Sequence, residues 1–153
     1  MQGISRQNGG MRYLLTGIDV FSKFAWALPV HSKDAKAITA AVGQVITAAN
    51  PRHPQRLQTD NGNKFFNLNF QTLMKRHGIQ HFASESEQEA AVVERFNQTI
   101  KTMIWTYLSD RGTVLWVDII QDLVDTYNNS RHRRIGMAPA DVQKKYENDL
   151  WVR

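Results

Sequence analysis

The chain has 153 residues and no cysteine, which fits one domain with a single core and excludes disulfides, thiol catalysis and cysteine-ligated zinc. Lys and Arg together number 19 against 14 for Asp and Glu, and the resulting net charge of +5 favours polyanionic partners such as nucleic acids. No apolar run approaches the roughly 20 residues of a membrane span and no signal peptide opens the sequence, so we expect a soluble, intracellular protein without a membrane partner.

The first half of the chain alternates between strand and helix patterns. Runs rich in β-branched and aromatic residues predict strands, and apolar residues at helical spacing predict helices. In chain order these elements are a hairpin of strands at 13–20 and 24–30, a helix at 34–48, a strand ending at Asp60, a short helix around Phe70 and a strand at 79–83.

The second half is helical. An apolar stripe predicts a helix over about 90–109, and a second stripe that includes Leu115 and Trp116 predicts another over about 115–127. The aspartates of that second segment are interpreted as a solvated face rather than as metal ligands; they are Asp118, Asp122 and Asp125. Strands followed by a helical layer predict an α/β fold with a mixed sheet.

Two carboxylates stand in local sequences suited to holding a divalent cation. Asp60 ends a strand just before a turn permitted by Gly62, and Glu94 lies on the first turns of a long helix. Asn97 and Lys101 share the face of Glu94, because they follow it by three and seven residues. Hard oxygen ligands on rigid elements favour Mg²⁺ or Mn²⁺, so the pattern predicts metal-dependent phosphoryl transfer on a nucleic acid.

Four sequence motifs follow one another along nearly the whole chain. They are residues 18–26 (IDVFSKFAW), 59–62 (TDNG), 93–97 (VERFN) and 127–140 (YNNSRHRRIGMAPA). In this order they resemble the catalytic core of a retroviral-type integrase, and within that superfamily the chain is most similar to integrases of Polinton (Maverick) elements and related retrotransposons.

The resemblance implies an RNase H-like fold, with a mixed five-stranded sheet flanked by helices and residues 1–153 forming one catalytic core domain. It implies a DDE active site that uses Mg²⁺ or Mn²⁺ for 3′-end processing and DNA strand transfer. The implied partners are the element's DNA ends, target DNA and further copies of the chain, in the nucleus if the host is eukaryotic. We expect a fragment without the family's upstream zinc module and its C-terminal domain.

The resemblance assigns the second and third acidic residues to Asp60 and Glu94. The family's first aspartate lies on the strand before the motif that contains Asp19, so we expect that strand to be truncated and that aspartate to lie upstream of Met1. Alternatively, Asp19 itself serves as the first acidic residue. With Asp60 and Glu94 alone, we expect weaker metal binding and little or no activity of the polypeptide as written. The structural interpretation of Asp19 is a carboxylate that accepts hydrogen bonds at the hairpin turn.

Further polar residues are candidate DNA contacts. The asparagine would form hydrogen bonds with the DNA, and the lysines and arginines would pair with its phosphates. They are Asn97, Lys101, Lys64, Arg131, Arg133 and Arg134. The alternative for each is an ordinary solvated surface. The segment 84–91 is expected to be a loop whose acidic side chains oppose phosphate.

Two other functions compete with integration. A domesticated or decayed core would serve as a non-catalytic module that binds DNA or protein, but the retained Asp60 and Glu94 argue for an enzyme. An RNase H-type nuclease would share the fold and the metals, but the resemblance of residues 127–140 to integrases argues against it.

Overall fold

The computed structural model describes residues 1–84 and 87–146, in which strands and helices alternate before a helical second half. The elements are β1 (Tyr13–Ile18), β2 (Ala25–Val30), α1 (Ala35–Ala48), β3 (Arg56–Thr59), α2 (Leu68–Arg76), β4 (Gln80–Ala83), α3 (Glu87–Arg111) and α4 (Ile120–Asn129). This order confirms the α/β class. Across the described residues, no helix combines the length and the apolar character that a membrane crossing requires.

The described strands form two separate two-stranded sheets. β1 and β2 form the predicted hairpin, in which the N–H of Asp19 donates to the carbonyl of Phe24 at 2.8 Å. β3 and β4 pair in parallel, from Arg56 opposite Gln80 to Thr59 opposite Ala83. A single five-stranded sheet is therefore not confirmed, because the described part of the chain contains four strands in two sheets.

The chain divides into two compact units, and the first comprises Met1–Leu15 and Leu28–Ala90. Its core consists of apolar side chains of α1 and α2 that recur at helical spacing, together with the residue before β4; they are Ile38, Val42, Ile46, Phe70, Leu73, Met74 and Ile79. Asn67 caps α2 by accepting the N–H of Phe70 at 3.0 Å. Since α2 connects β3 to β4, it provides the crossover that parallel pairing requires.

The second unit comprises Thr16–Ala27 and the chain from Ala91 onward. Its core is built from the apolar stripes of α3 and α4 and from the segment between them; the buried residues include Phe96, Ile100, Ile104, Leu108, Trp116, Ile120 and Val124. The assignment of residues 1–153 to one domain stays a prediction.

Two sequence-based boundaries in the helical half need correction. The helix α3 begins at Glu87, so most of the loop predicted at 84–91 is helical; Glu85 and Ser86 lie outside the described residues. The second predicted helix is a 3₁₀ turn at Val117–Ile119 followed by α4. Leu115 precedes both, so helical spacing does not govern its burial, and it is 46% exposed.

Candidate active site

Asp60 directly follows the last residue of β3 and has a side chain that is 64% exposed. Its Oδ1 accepts the N–H of Gly62 at 3.0 Å, which closes a turn of the kind that aspartate favours. A Cβ at position 62 would lie only 2.9 Å from that same oxygen. Glycine at position 62 thus leaves room for the carboxylate in its present direction, at an accessible strand end.

Lys64 places a positive charge beside this carboxylate. Its Nζ lies 3.6 Å from Asp60 Oδ2 and 5.4 Å from the centre of the Phe65 ring. An exposed pair of this kind contributes little to stability. The ion pair matters for the local charge, because the Lys64 ammonium offsets the negative charge of Asp60. A phosphate bound near the carboxylate would also be near this ammonium.

Glu94, Asn97 and Lys101 are all exposed on α3, while Phe96 and Ile100 on the other side of the helix are buried. The shared polar face predicted for the three residues is therefore present. Asn97 Oδ1 accepts a hydrogen bond from Thr16 Oγ1 on β1. This contact occupies the carbonyl end of the amide, and its NH₂ end is a donor suited to a phosphate oxygen.

The carboxylate of Asp19 accepts three hydrogen bonds in the turn of the β1–β2 hairpin. Oδ1 accepts the N–H of Phe21 at 3.2 Å, and Oδ2 accepts both the N–H and the hydroxyl of Ser22, at 3.2 and 2.6 Å. These are the contacts expected from the structural interpretation of Asp19. Since both oxygens are engaged in the turn, the geometry gives no support to Asp19 as a metal ligand.

The candidate metal ligands are distributed over both units: Asp60 belongs to the first, and Glu94 and Asp19 belong to the second. Within residues 1–84 and 87–146, no three His, Asp or Glu side chains form a group that could hold a metal ion by themselves. Mg²⁺ retains several waters and is commonly held by one or two carboxylates together with substrate phosphates. Exposed carboxylates such as Asp60 and Glu94 fit that donor chemistry.

Three arginines predicted to contact DNA, Arg131, Arg133 and Arg134, follow α4 and are exposed. Arg131 donates from Nε to the carbonyl of Gly136 at 3.2 Å, so part of its guanidinium supports the loop. Arg134 interacts electrostatically with Lys23 of the hairpin turn. Burial lowers the pKa of Lys23, and the charges of Arg134 and Arg95 lower it further, against an opposing effect of Asp19.

Lys23, Arg95 and Arg134, here called the basic cluster, come from three distant parts of the sequence in the second unit. Sequence reasoning identified only Arg134. Lys23 has a left-handed backbone, with φ of 62°, and its Nζ donates to the carbonyl of Val20 at 2.6 Å. The electrostatic effect of Arg95 and Arg134 on Lys23 depends on tertiary structure that no local pattern indicates.

Aromatic contacts connect this basic region to α3. The Tyr127 ring lies edge-on to Phe96 at 4.9 Å and to His132 at 6.3 Å between ring centres. Burial lowers the pKa of His132, and the charges of Lys23 and Arg134 lower it further. These effects favour the neutral imidazole, because protonating it would add a charge to an already positive region.

Comparisons with known proteins identify related sequences. The family model described as an integrase core domain matches residues 3–88. A transposon-derived protein of Caenorhabditis elegans is 30% identical over 144 residues, which cover 94% of this chain and 50% of that protein. The Pol polyprotein of radiation murine leukemia virus is 36% identical over 113 residues, which cover 71% of this chain and 19% of that protein. The chain thus spans half or less of the length of these relatives.

Solved structures show the same fold. The catalytic core domain of HTLV-2 integrase in complex with magnesium matches with a TM-score of 0.73 at 23% identity, covering 84% of this chain and 82% of that one. A simian T-cell lymphotropic virus intasome matches with a TM-score of 0.77 at 19% identity, covering 86% of this chain and 49% of that one. The RNase H-like fold is thereby confirmed.

Proposed function

The chain belongs to the integrase core domain family, and from that premise we propose that it is a catalytic core through which the whole protein integrates DNA, by processing the 3′ ends of an element and joining them to target DNA. Asp60 and Glu94 are its acidic catalytic residues. The observation that carries this proposal is the placement of Asp60, an accessible carboxylate held at the end of β3 by Gly62 and accompanied by Lys64. Asp60 also lies within the residues that match the family model.

The chemistry consists of two displacements at phosphorus. In end processing, water attacks a phosphodiester and the new 3′ oxygen leaves. In joining, that 3′-hydroxyl attacks a phosphodiester of target DNA and displaces the target's 3′ oxygen, so that one phosphodiester bond forms as another breaks. Mg²⁺ or Mn²⁺, when bound, lowers the pKa of the attacking hydroxyl and stabilises the negative charge of the leaving oxygen. Asp60 and Glu94 supply oxygen ligands, while Asn97 and Lys101 on the face of Glu94 bind the DNA strand and fix its position.

Partners follow from the same proposal. The substrates are the DNA ends of the element and a target duplex, and the active form contains more than one copy of the chain, so that two ends are joined together. The related HTLV-2 core domain has been solved in dimeric and trimeric forms, and another solved relative is an intasome. In a eukaryotic host this activity belongs in the nucleus.

A DNA cleavage and joining assay tests the proposal. The full-length protein that contains residues 1–153 is incubated with a labelled duplex that carries the terminal sequence flanking its gene, in Mg²⁺, Mn²⁺ or EDTA. Shortened and joined products should form only with the metal, and Asp60→Asn or Glu94→Gln should abolish them. Asp110→Asn is the matched control, because Asp110 is another exposed carboxylate of α3.

Two results would contradict the proposed function. Products that persist in Asp60→Asn and Glu94→Gln would remove these residues from the chemistry. A duplex that is bound and shifted in a gel, but never cut in either metal, would favour a non-catalytic DNA-binding module.

A further inference from the structure

His81 on β4 has a ring that is fixed by aromatic neighbours of the first unit. It stacks on Phe66 with 4.4 Å between ring centres and an angle of 22°, and it lies 4.9 Å from the ring of the fully buried Phe70. Contacts on this scale hold an imidazole in one orientation. The two ring nitrogens of His81 therefore have defined partners.

Each ring nitrogen of His81 forms one hydrogen bond. Nδ1 lies 3.0 Å from Gln71 Nε2, and Nε2 lies 2.7 Å from Thr59 Oγ1. An amide nitrogen is only a donor, so Nδ1 accepts, and a neutral imidazole then carries its proton on Nε2 and donates to Thr59. Burial lowers the pKa of His81, which favours this neutral form.

The Thr59 hydroxyl links His81 to the candidate catalytic residue Asp60 by hydrogen bonds. Because its Oγ1 accepts from His81, its own proton is available, and it donates to the backbone carbonyl of Asp60 at 2.9 Å. Thr59 is itself held in the sheet, since its carbonyl accepts the N–H of Ser84 at 2.8 Å. Two directed hydrogen bonds thus lead from His81 to the peptide group that follows Asp60.

We propose that His81 is a positioning residue for Asp60, acting through the Thr59 hydroxyl to fix the Asp60–Asn61 peptide and hence the direction of the Asp60 carboxylate. The backbone carbonyl of Asp60 and its side-chain bond to the N–H of Gly62 then define one turn geometry from two sides. The role assigned to the carboxylate rests on the proposed function, whereas the relay itself is a property of the folded chain.

Two matched pairs of variants separate this relay from simple packing. Thr59→Val keeps the shape of the side chain but removes the hydroxyl, and Thr59→Ser keeps the hydroxyl. His81→Phe keeps an aromatic ring against Phe66 but loses both hydrogen bonds, and His81→Gln keeps a donor near the position of Nε2 without the ring. A relay predicts damage from Thr59→Val and His81→Phe, with recovery in Thr59→Ser and His81→Gln.

The first readout is amide hydrogen exchange without metal, because the N–H of Gly62 bonds to the Asp60 carboxylate. The second is Mn²⁺ affinity, measured by paramagnetic broadening of the amide signals around Asp60. We expect Thr59→Val and His81→Phe to speed exchange at Gly62 and to weaken Mn²⁺ binding about 10-fold, as loss of a partner that orients a ligand does. Far-UV circular dichroism verifies that each variant is folded. If His81→Phe does not fold, the result for Thr59→Val alone decides whether the relay exists.

If Thr59→Val leaves the exchange rate at Gly62 and the Mn²⁺ affinity unchanged, the proposal is overturned. It is also overturned if His81→Phe matches the wild type in both measurements while His81→Gln shows faster exchange and weaker Mn²⁺ binding. The second pattern would assign the ring a packing role only. If the wild-type chain shows no Mn²⁺ broadening at Asp60, the proposed function fails, but the exchange rates at Gly62 still decide whether His81 positions this turn.

Discussion

The side-chain amide of Asn128 forms two hydrogen bonds with the backbone of Ala25: Nδ2 donates to the carbonyl and Oδ1 accepts the N–H, both at 2.9 Å. Asn128 is 2% exposed and Ala25 is fully buried. The amide therefore supplies the first residue of β2 with the two bonds that a neighbouring strand would supply. It joins α4 to the hairpin of the second unit across 103 residues of sequence.

Replacing Asn128 should destabilise the fold without touching the candidate active site. In Asn128→Ala a buried N–H and a buried carbonyl lose their partners, and each such loss costs about 1–3 kcal/mol. We expect the free energy of unfolding, measured in urea, to fall by about 2–4 kcal/mol. Asn129→Ala, at an exposed neighbouring position, should change it by less than about 0.5 kcal/mol. Equal effects of the two variants would contradict this role of Asn128.

Gly62→Ala should impair metal binding while leaving the fold intact. The added Cβ would approach Asp60 Oδ1 to 2.9 Å, so the carboxylate must turn away from its present direction. We expect about 10-fold weaker Mn²⁺ binding by calorimetry, comparable to the loss of a partner that orients a ligand, with an unchanged melting temperature. Gly3→Ala is the control, because a Cβ there meets nothing within 4 Å. Wild-type affinity in Gly62→Ala would show that the turn does not set the carboxylate direction.

The basic cluster should contribute to DNA affinity through phosphate contacts. Lys23→Ala and Arg134→Ala each remove one positive charge, and loss of one phosphate contact should reduce the slope of log affinity against log salt by about 1. Fluorescence anisotropy with a labelled duplex at several salt concentrations measures this slope. Lys75→Ala removes an exposed charge from the last turn of α2 as a control. A slope reduced equally by Lys75→Ala would mean that the cluster is not a preferred contact.

His132 should make the protein less stable as the pH drops below about 6.5. Burial, with the charges of Lys23 and Arg134, lowers the pKa of His132 in the folded chain. The unfolded chain therefore takes up the proton first, near pH 6.5, and stability falls as the pH drops through the interval between the unfolded and folded pKa values. His132→Gln should reduce this loss in urea titrations, and the exposed His31→Gln should not. If stability falls with decreasing pH as much in His132→Gln as in the wild type, other titratable groups cause the effect.

Local pattern was sufficient to predict most elements and the turn at Asp60. The hairpin, α1 and α2 follow from period and turn chemistry within a few residues, and so does the exposed face shared by Glu94, Asn97 and Lys101. The start of α3 was missed because glutamates were interpreted as loop residues. Negative charge in a first turn is favourable to a helix, and Ala90 and Ala91 have high helix propensity.

Contacts between distant residues could not be predicted from one sequence. The pairing of Asn128 with Ala25, the electrostatic effect of Arg134 on Lys23 and the separation of the strands into two sheets each depend on tertiary packing. The same applies to the bond between His81 and Thr59, since parallel register brings the two residues together only after α2 has formed the crossover.

The central claim is that Asp60 and Glu94 hold divalent cations, and affinity cleavage with Fe²⁺ in place of Mg²⁺ tests it most directly. With ascorbate and peroxide, bound Fe²⁺ generates radicals that cut the backbone close to its ligands. We predict cuts near Asp60 and near Glu94 that excess Mg²⁺ suppresses and that disappear in Asp60→Asn and Glu94→Gln. Cuts at other positions, or cuts that neither Mg²⁺ nor these substitutions affect, would contradict the claim.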